Sequence, residues 1–132
     1  MRILMLTQFL SSTGGGGEVM FYQLASGLAT KGHEIHIVTH RILNPDKRNI
    51  NNMSGKMIVY NIFPPLKHKG GLPATIIQNL FYVLNAVRCG AKIIRGKSID
   101  LIHANNYSPI FAGFILSMIT KRLSSIIIIN TE

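Results

Sequence analysis

Gly14-Gly15-Gly16-Gly17-Glu18 separates two stretches of opposite character. Before it runs Ile3-Leu4-Met5-Leu6, a short apolar run that reads as a buried strand. After it, from about Glu18, apolar residues recur at helical spacing. Strand, glycine loop and helix together make an anion site. The first helical N–H groups have no partner inside the helix, and the macrodipole adds partial positive charge there. Glycine lacks a Cβ, so a phosphate can approach the backbone closely. The competing reading is a loop kept only for its turn. Ordering so many consecutive glycines is entropically costly, which weighs against an idle loop.

Two familiar phosphate motifs do not fit. No Lys-Ser or Lys-Thr follows the glycines, which removes the P-loop. A dinucleotide fingerprint starting at Gly14 and Gly16 would need a third glycine where Val19 stands. The second strand ends Val38-Thr39-His40-Arg41, without an acid for a ribose hydroxyl.

Outward from the loop, strands and helices alternate. Strand one is read over residues 2–7 and helix one over 18–31, with Val19, Phe21, Tyr22, Ala25, Leu28 and Ala29 as its apolar stripe. Gly32 stops that helix. Strand two is read over 34–39, a polar loop over 40–55 and strand three over 57–62, closed by Pro64-Pro65. Pro73 opens a long helix to about residue 95, with Ile76, Leu80, Val83, Val87, Ala91 and Ile94 at helical spacing and Gly96 as its stop. Strand four is read over 100–104. A nearly all-apolar helix over 108–121 is expected to be buried on most sides, and the Ile-rich run over 125–130 is strand five.

This alternation predicts an α/β doubly wound parallel sheet, Rossmann-like, with strand order 3-2-1-4-5. Strands one and four are then neighbours at the switch point, where ligands bind beyond the carboxyl ends. The glycine loop follows strand one, and His103 and Asn105 follow strand four, so topology alone brings them to one cleft.

The chain has 132 residues, enough for one domain with a real core. Hydrophobic residues make up 47%, which argues against disorder. The single cysteine, Cys89, allows no internal disulfide and suits a reducing compartment, so a cytoplasmic location is expected. No secretory leader is read at the start, and no run reaches the length of a membrane span. The net charge is +9. It is concentrated between Asp46 and Asp100, where bases occur without any acid. Such a surface attracts phosphates, nucleic acid or anionic lipid. Lys67, Lys69, Arg88, Lys92 and Arg95, beside Phe63, Leu66 and Phe81, form a basic and apolar flank expected to touch a membrane or an acceptor. A nucleic-acid role would want aromatics between the bases, and Phe81-Tyr82 is thin support.

Gly15-Gly16-Gly17-Glu18, Leu24-Ala25, Leu28 and Gly32-His33-Glu34-Ile35 resemble the opening of the retaining GT-B glycosyltransferases of family four, the group 1 enzymes. Asp100-Leu101-Ile102-His103-Ala104 is similar to the second block of their amino-terminal domain. The resemblance covers nearly the whole chain. It implies a hexosyltransferase-type enzyme that moves a sugar from a nucleotide-sugar donor, as co-substrate, to a glycan or lipid-linked acceptor, with no metal or other cofactor. It implies an acceptor-side domain whose glycine loop, Gly14 to Gly17, lies near the donor diphosphate, with His103 in the cleft. Many relatives carry a second histidine where this chain has Asn105, so Asn105 is a further candidate. The donor-binding acids belong to a carboxy-terminal domain in the family. The resemblance therefore implies a truncated amino-terminal part, inactive alone.

Other residues read more plainly. His33 is expected to pack locally at the start of strand two, His36 to be half-exposed in it, and His40 to lie near the cleft rim. Glu18 suits the helix dipole, but as an acid it opposes direct phosphate contact. A nucleotide- or phosphate-binding module without catalysis and a basic interaction domain are the alternative readings.

Overall fold

The computed structural model describes residues 1–11, 16–43, 56–62, 71–120 and 126–129. Its apolar opening run forms β1 (Arg2–Ser11), the central strand of a parallel sheet. After it come α1 (Gly17–Thr30), β2 (Glu34–Leu43), β3 (Met57–Asn61), α2 (Leu72–Gly96), β4 (Leu101–Asn105), α3 (Tyr107–Thr120) and β5 (Ile126–Ile129). The strand order is β3-β2-β1-β4-β5, as the alternation predicts. β1 pairs with β2 through Met5–Ile37 and with β4 through Met5–His103.

Alternate residues of β1 serve opposite faces. Ile3 and Met5 pack with Phe21, Tyr22, Ala25 and Ala29 of α1. Leu4 and Leu6 pack with Tyr82, Ala86 and Ile93 of α2 and Ala112 and Leu116 of α3. Burial of each such apolar side chain contributes about 2 kcal/mol, so the sheet is held from both sides. Gly32 closes α1 with φ +94. Its N–H bonds to the Ala29 carbonyl, and the His33 N–H bonds to the Leu28 carbonyl. That pairing is a Schellman stop, and the positive φ suits glycine.

The structure corrects several expectations. β1 runs to Ser11 and β2 to Leu43, because the ladder continues through Phe9–Arg41, Leu10–Ile42 and Ser11–Leu43. The loop expected from residue 40 therefore starts later, and residues 44–55 lie outside the described residues, as do Pro64-Pro65. α2 buries Tyr82, Ala86, Gly90 and Ile93, a row one step from the expected stripe, while Val83, Val87, Ala91 and Ile94 of that stripe pack half-buried beside it. Ile76 and Leu80 are exposed instead. Gly96 is the last residue of α2 rather than its stop, and extended Lys97 caps the helix. α3 buries only one side, through Pro109, Ala112, Gly113 and Leu116, and exposes Tyr107, Phe111, Phe114 and Met118. His36 is wholly buried rather than half-exposed, because β2 is an interior strand and Tyr60 of β3 stacks on its ring at 6.0 Å.

Glu34 anchors the amino-terminal edge. Its carboxylate accepts from His36 at 2.8 Å and from Arg2 Nε at 3.1 Å, and Lys97 Nζ lies 3.5 Å away. The bonds from His36 and Arg2, with the charge of Lys97, hold its pKa down from 4.5 to about 2. A carboxylate depressed in the folded state contributes stability above its unfolded pKa and loses it as the pH falls through the folded value. Stability should therefore decline between pH 4.5 and about 2, and Glu34→Gln should flatten that part of a plot of Tm against pH. An unchanged slope in the variant would refute the assignment.

Candidate functional site

The glycine loop joins the carboxyl end of β1 to the start of α1. Gly14 and Gly15 lie outside the described residues. Gly16 is the N-cap of α1, with φ +108 and no side-chain cap. That left-handed conformation strains any residue with a Cβ, and a Cβ there would come within 3.1 Å of Glu18 Oε2. Gly17 is the first helical residue. The opening amides of α1 therefore lack the usual side-chain acceptor, which is what an anion can replace. The Glu18 carboxylate folds back toward Gly16, so an arriving anion would meet it first.

His103 lies in β4, in register between Met5 of β1 and Ile127 of β5. Its ring stands edge-on to Phe21 of α1, with centroids 5.4 Å apart. The residue is 5% exposed, and its Nε2 is buried without a hydrogen-bond partner among the described residues. An orphaned buried nitrogen is costly and calls for an explanation. Burial also pushes its pKa below the ordinary 6.5, so the ring is neutral at pH 7. An NMR titration should therefore place its midpoint below 6.5, and a midpoint at or above that value would contradict the buried setting. Asn105 ends β4 and is also buried, and Asn106 turns the chain into α3 with φ 74.

Strand one, the glycine cap, α1 and the histidine strand thus converge at one switch point. The sequence profile of Glycosyltransferase Family 4 matches residues 14–129, from the glycine loop through β5. The chain belongs to glycosyltransferase family 4. Its fold is that of the amino-terminal domain of a GT-B glycosyltransferase. Similar solved structures include Phytolacca americana UGT2 complexed with UDP-2fluoro-glucose and pterostilbene, at TM-score 0.64 and 8% identity over 96% of this chain and 30% of that one. A Rickettsia africae glycosyltransferase matches at TM-score 0.55 and 16% identity, over 96% of this chain and 28% of that one. The chain thus spans less than a third of either glycosyltransferase. The C-terminal domain of a Pyrococcus furiosus hydrogenase is as similar in shape, with TM-score 0.63 and 14% identity over 95% of this chain and 89% of that one. At such identities the likeness concerns the fold, and folds host unrelated chemistries. No curated protein matches the chain significantly.

In this family 4 domain the carboxyl edge carries a second feature that the sequence did not announce. Phe9 stacks on His40 at 6.3 Å, and His40 stacks on Tyr82 at 6.1 Å. The Tyr82 hydroxyl donates to the Thr7 carbonyl at 3.2 Å, and Gln8 Nε2 donates to Asn79 Oδ1 at 2.8 Å. These bonds tie the end of β1 to α2, and the stacking holds His40 between Phe9 and Tyr82. Phe9 escaped notice because its strand was read as ending before it.

The remaining candidates lie elsewhere. Arg88, Lys92 and Arg95 are exposed on α2, while Lys67 and Lys69 lie outside the described residues. Phe63 and Leu66 do too, and Phe81 is half-buried rather than open to a partner. A cavity of about 330 Å³ opens at the amino-terminal edge among Met1, Arg2, Glu34, Lys56 and Asp100. Its polar groups already have partners within the chain: Arg2 Nε pairs with Glu34, the Arg2 N–H donates to Asp100, and Lys56 donates to the Gly32 carbonyl. His33 sits at this same edge, with Nδ1 3.3 Å from the Met1 amino group.

Proposed function

We propose that this family 4 domain forms the acceptor-side wall of a glycosyl-transfer cleft. In it a hexose passes from a nucleotide-sugar donor to a glycan or lipid-linked acceptor. The observation that carries the reading is the buried Nε2 of His103 against α1, without a hydrogen-bond partner among the described residues. A neutral imidazole nitrogen there can exchange a hydrogen bond with a sugar hydroxyl, its tautomer set by the partner. The uncapped start of α1, at Gly16 and Gly17 and the adjoining Gly14 and Gly15, suits the donor diphosphate. Glu18 would swing away as the phosphate docks. Asn105, at the end of the same strand, is the second candidate for a sugar contact. A cytoplasmic site beside a membrane surface would suit a lipid-linked acceptor.

A non-catalytic phosphate-binding module is the second reading, favoured by the same uncapped helix start. Titration by NMR separates the two. A panel of nucleotide sugars should move the Gly16 and Gly17 amides and the His103 ring, whereas pyrophosphate should move the amides alone. His103→Ala should weaken nucleotide-sugar binding by about tenfold, the loss of one good hydrogen bond, and leave pyrophosphate unaffected. If both ligands move only the amides, the phosphate-module reading replaces the transfer reading.

A further inference from the structure

α2 buries Tyr82, Ala86, Gly90 and Ile93 against the sheet and α3. Its opposite face is divided along the axis. Ile77, Leu80 and Leu84 are exposed in the first half, at 38%, 59% and 66%. Arg88, Lys92 and Arg95 are exposed in the second half. At 100° per residue these side chains fall within an arc of about 120°, centred opposite the buried row. The span from Ile77 to Arg95 is about 27 Å at 1.5 Å per residue. No acid occurs anywhere in α2.

A soluble helix normally gives its outer face to mixed charges. Here the outer face joins an apolar surface to a basic one, on a helix that carries no acid of its own. A helix that inserts apolar side chains at the headgroup boundary and sets lysines and arginines among anionic lipids needs this combination. Charge complementarity selects the occupant. An anionic bilayer answers both halves at once: its headgroups take Arg88, Lys92 and Arg95, and its acyl boundary takes the aliphatic Ile77, Leu80 and Leu84. A nucleic acid gives aliphatic side chains no comparable partner.

We infer that the outer face of α2 docks on an anionic lipid bilayer, lying in the plane of the interface. The inference rests on the proposed function only for its purpose, to bring the cleft to a lipid-linked acceptor. The docking itself uses no residue of the His103 and glycine-loop region. A negative result with vesicles therefore leaves the nucleotide-sugar titration standing, and a negative titration leaves the docking standing.

Cosedimentation tests it with the purified chain. The vesicles are phosphatidylcholine alone and phosphatidylcholine mixed with phosphatidylserine, at low and at physiological salt. The chain should pellet with the anionic vesicles, less so as salt rises, and not with neutral ones. Arg88→Gln/Lys92→Gln/Arg95→Gln should lower the bound fraction at fixed lipid by about tenfold or more. Leu80→Asp/Leu84→Asp should lower it comparably although every base remains. Circular dichroism on each variant confirms the fold, which these exposed substitutions should not disturb. Binding unchanged by the Leu80/Leu84 variant would overturn the inference, because charge alone would then explain the adsorption. Equal pelleting with neutral vesicles would also overturn it. So would preference for random-sequence DNA over anionic vesicles, which would assign the basic half to nucleic acid.

Discussion

Incubated with nucleotide sugars and candidate acceptors, the 132-residue chain will form no glycosylated product above the uncatalysed background. The reason is physical. Transfer requires the leaving diphosphate to be stabilised as charge develops on it, and the loss of even one preorganised donor typically costs about a hundredfold or more. It also requires the acceptor hydroxyl to be held in line with the anomeric carbon, which contributes several kcal/mol more, on the order of 7–11 in favourable cases. The described residues offer one sheet with α1 on one face and α2 and α3 on the other. They therefore supply a helix start at Gly16 and Gly17, a histidine in β4 and one wall. The two glycosyltransferases of similar fold are more than three times as long, since the chain spans 30% and 28% of them. Binding can survive on one wall, because the uncapped amides of α1 belong to this domain. Chemistry needs the facing wall as well. Mass spectrometry of the acceptor reads the outcome directly. Donor-dependent product that disappears in His103→Ala would show that these residues suffice and that the one-wall account is wrong.

The sheet order was legible because alternation of strands and helices leaves few topologies, and right-handed crossovers leave fewer. Placing the glycine loop and His103 at one switch point follows from that order alone. Element ends were harder to read. Gln8 and His40 look like the first polar residues of loops, yet the ladder passes them, and Tyr82 and Asn79 pack over the extension. Hydropathy also hid the working face of α2. Leu80 and Ile76 draw the eye as apolar, while the contact is made by Ala86 and Gly90, whose small size lets helices approach. α3 misled in the same direction. Being apolar nearly all round, it reads as enclosed, but only the side with Pro109, Ala112, Gly113 and Leu116 is buried, with Ile110 packed half-buried beside it. The histidines divide on burial, which no pattern prints. His36 and His103 are both buried, one bonded to Glu34 and the other with an Nε2 that has no partner among the described residues. His103 is the cleft candidate from its place in strand four alone; its burial, and the bonding that sets it apart from His36, are what only coordinates supply.

The approach of α2 and α3 sets up the second large effect. Gly90→Val should destabilise the fold by about 3 kcal/mol, near the upper end for overpacking a core. An ideal Cβ at Gly90 would stand 2.6 Å from Leu116 Cδ1 and 3.3 Å from its Cδ2. Leu116 is completely buried, so its side chain can yield only by displacing core neighbours. The two helices must separate, which also strains β4, since Asn105 leads directly into α3. The gain from replacing a helical glycine is only a few tenths of a kcal/mol for valine, too little to offset the clash. Gly27 of α1 supplies the control. A Cβ there meets nothing within 4 Å, so Gly27→Ala should stabilise by about 0.5–1 kcal/mol. Urea unfolding of both variants gives the opposite signs their test. A double-mutant cycle isolates the contact. Leu116→Ala alone opens a cavity and should cost about 2–4 kcal/mol, but in Gly90→Val it also makes room. The double variant should therefore be clearly more stable than the sum of the single losses predicts. Strict additivity would mean that the Gly90–Leu116 approach does not govern how α3 sits on α2.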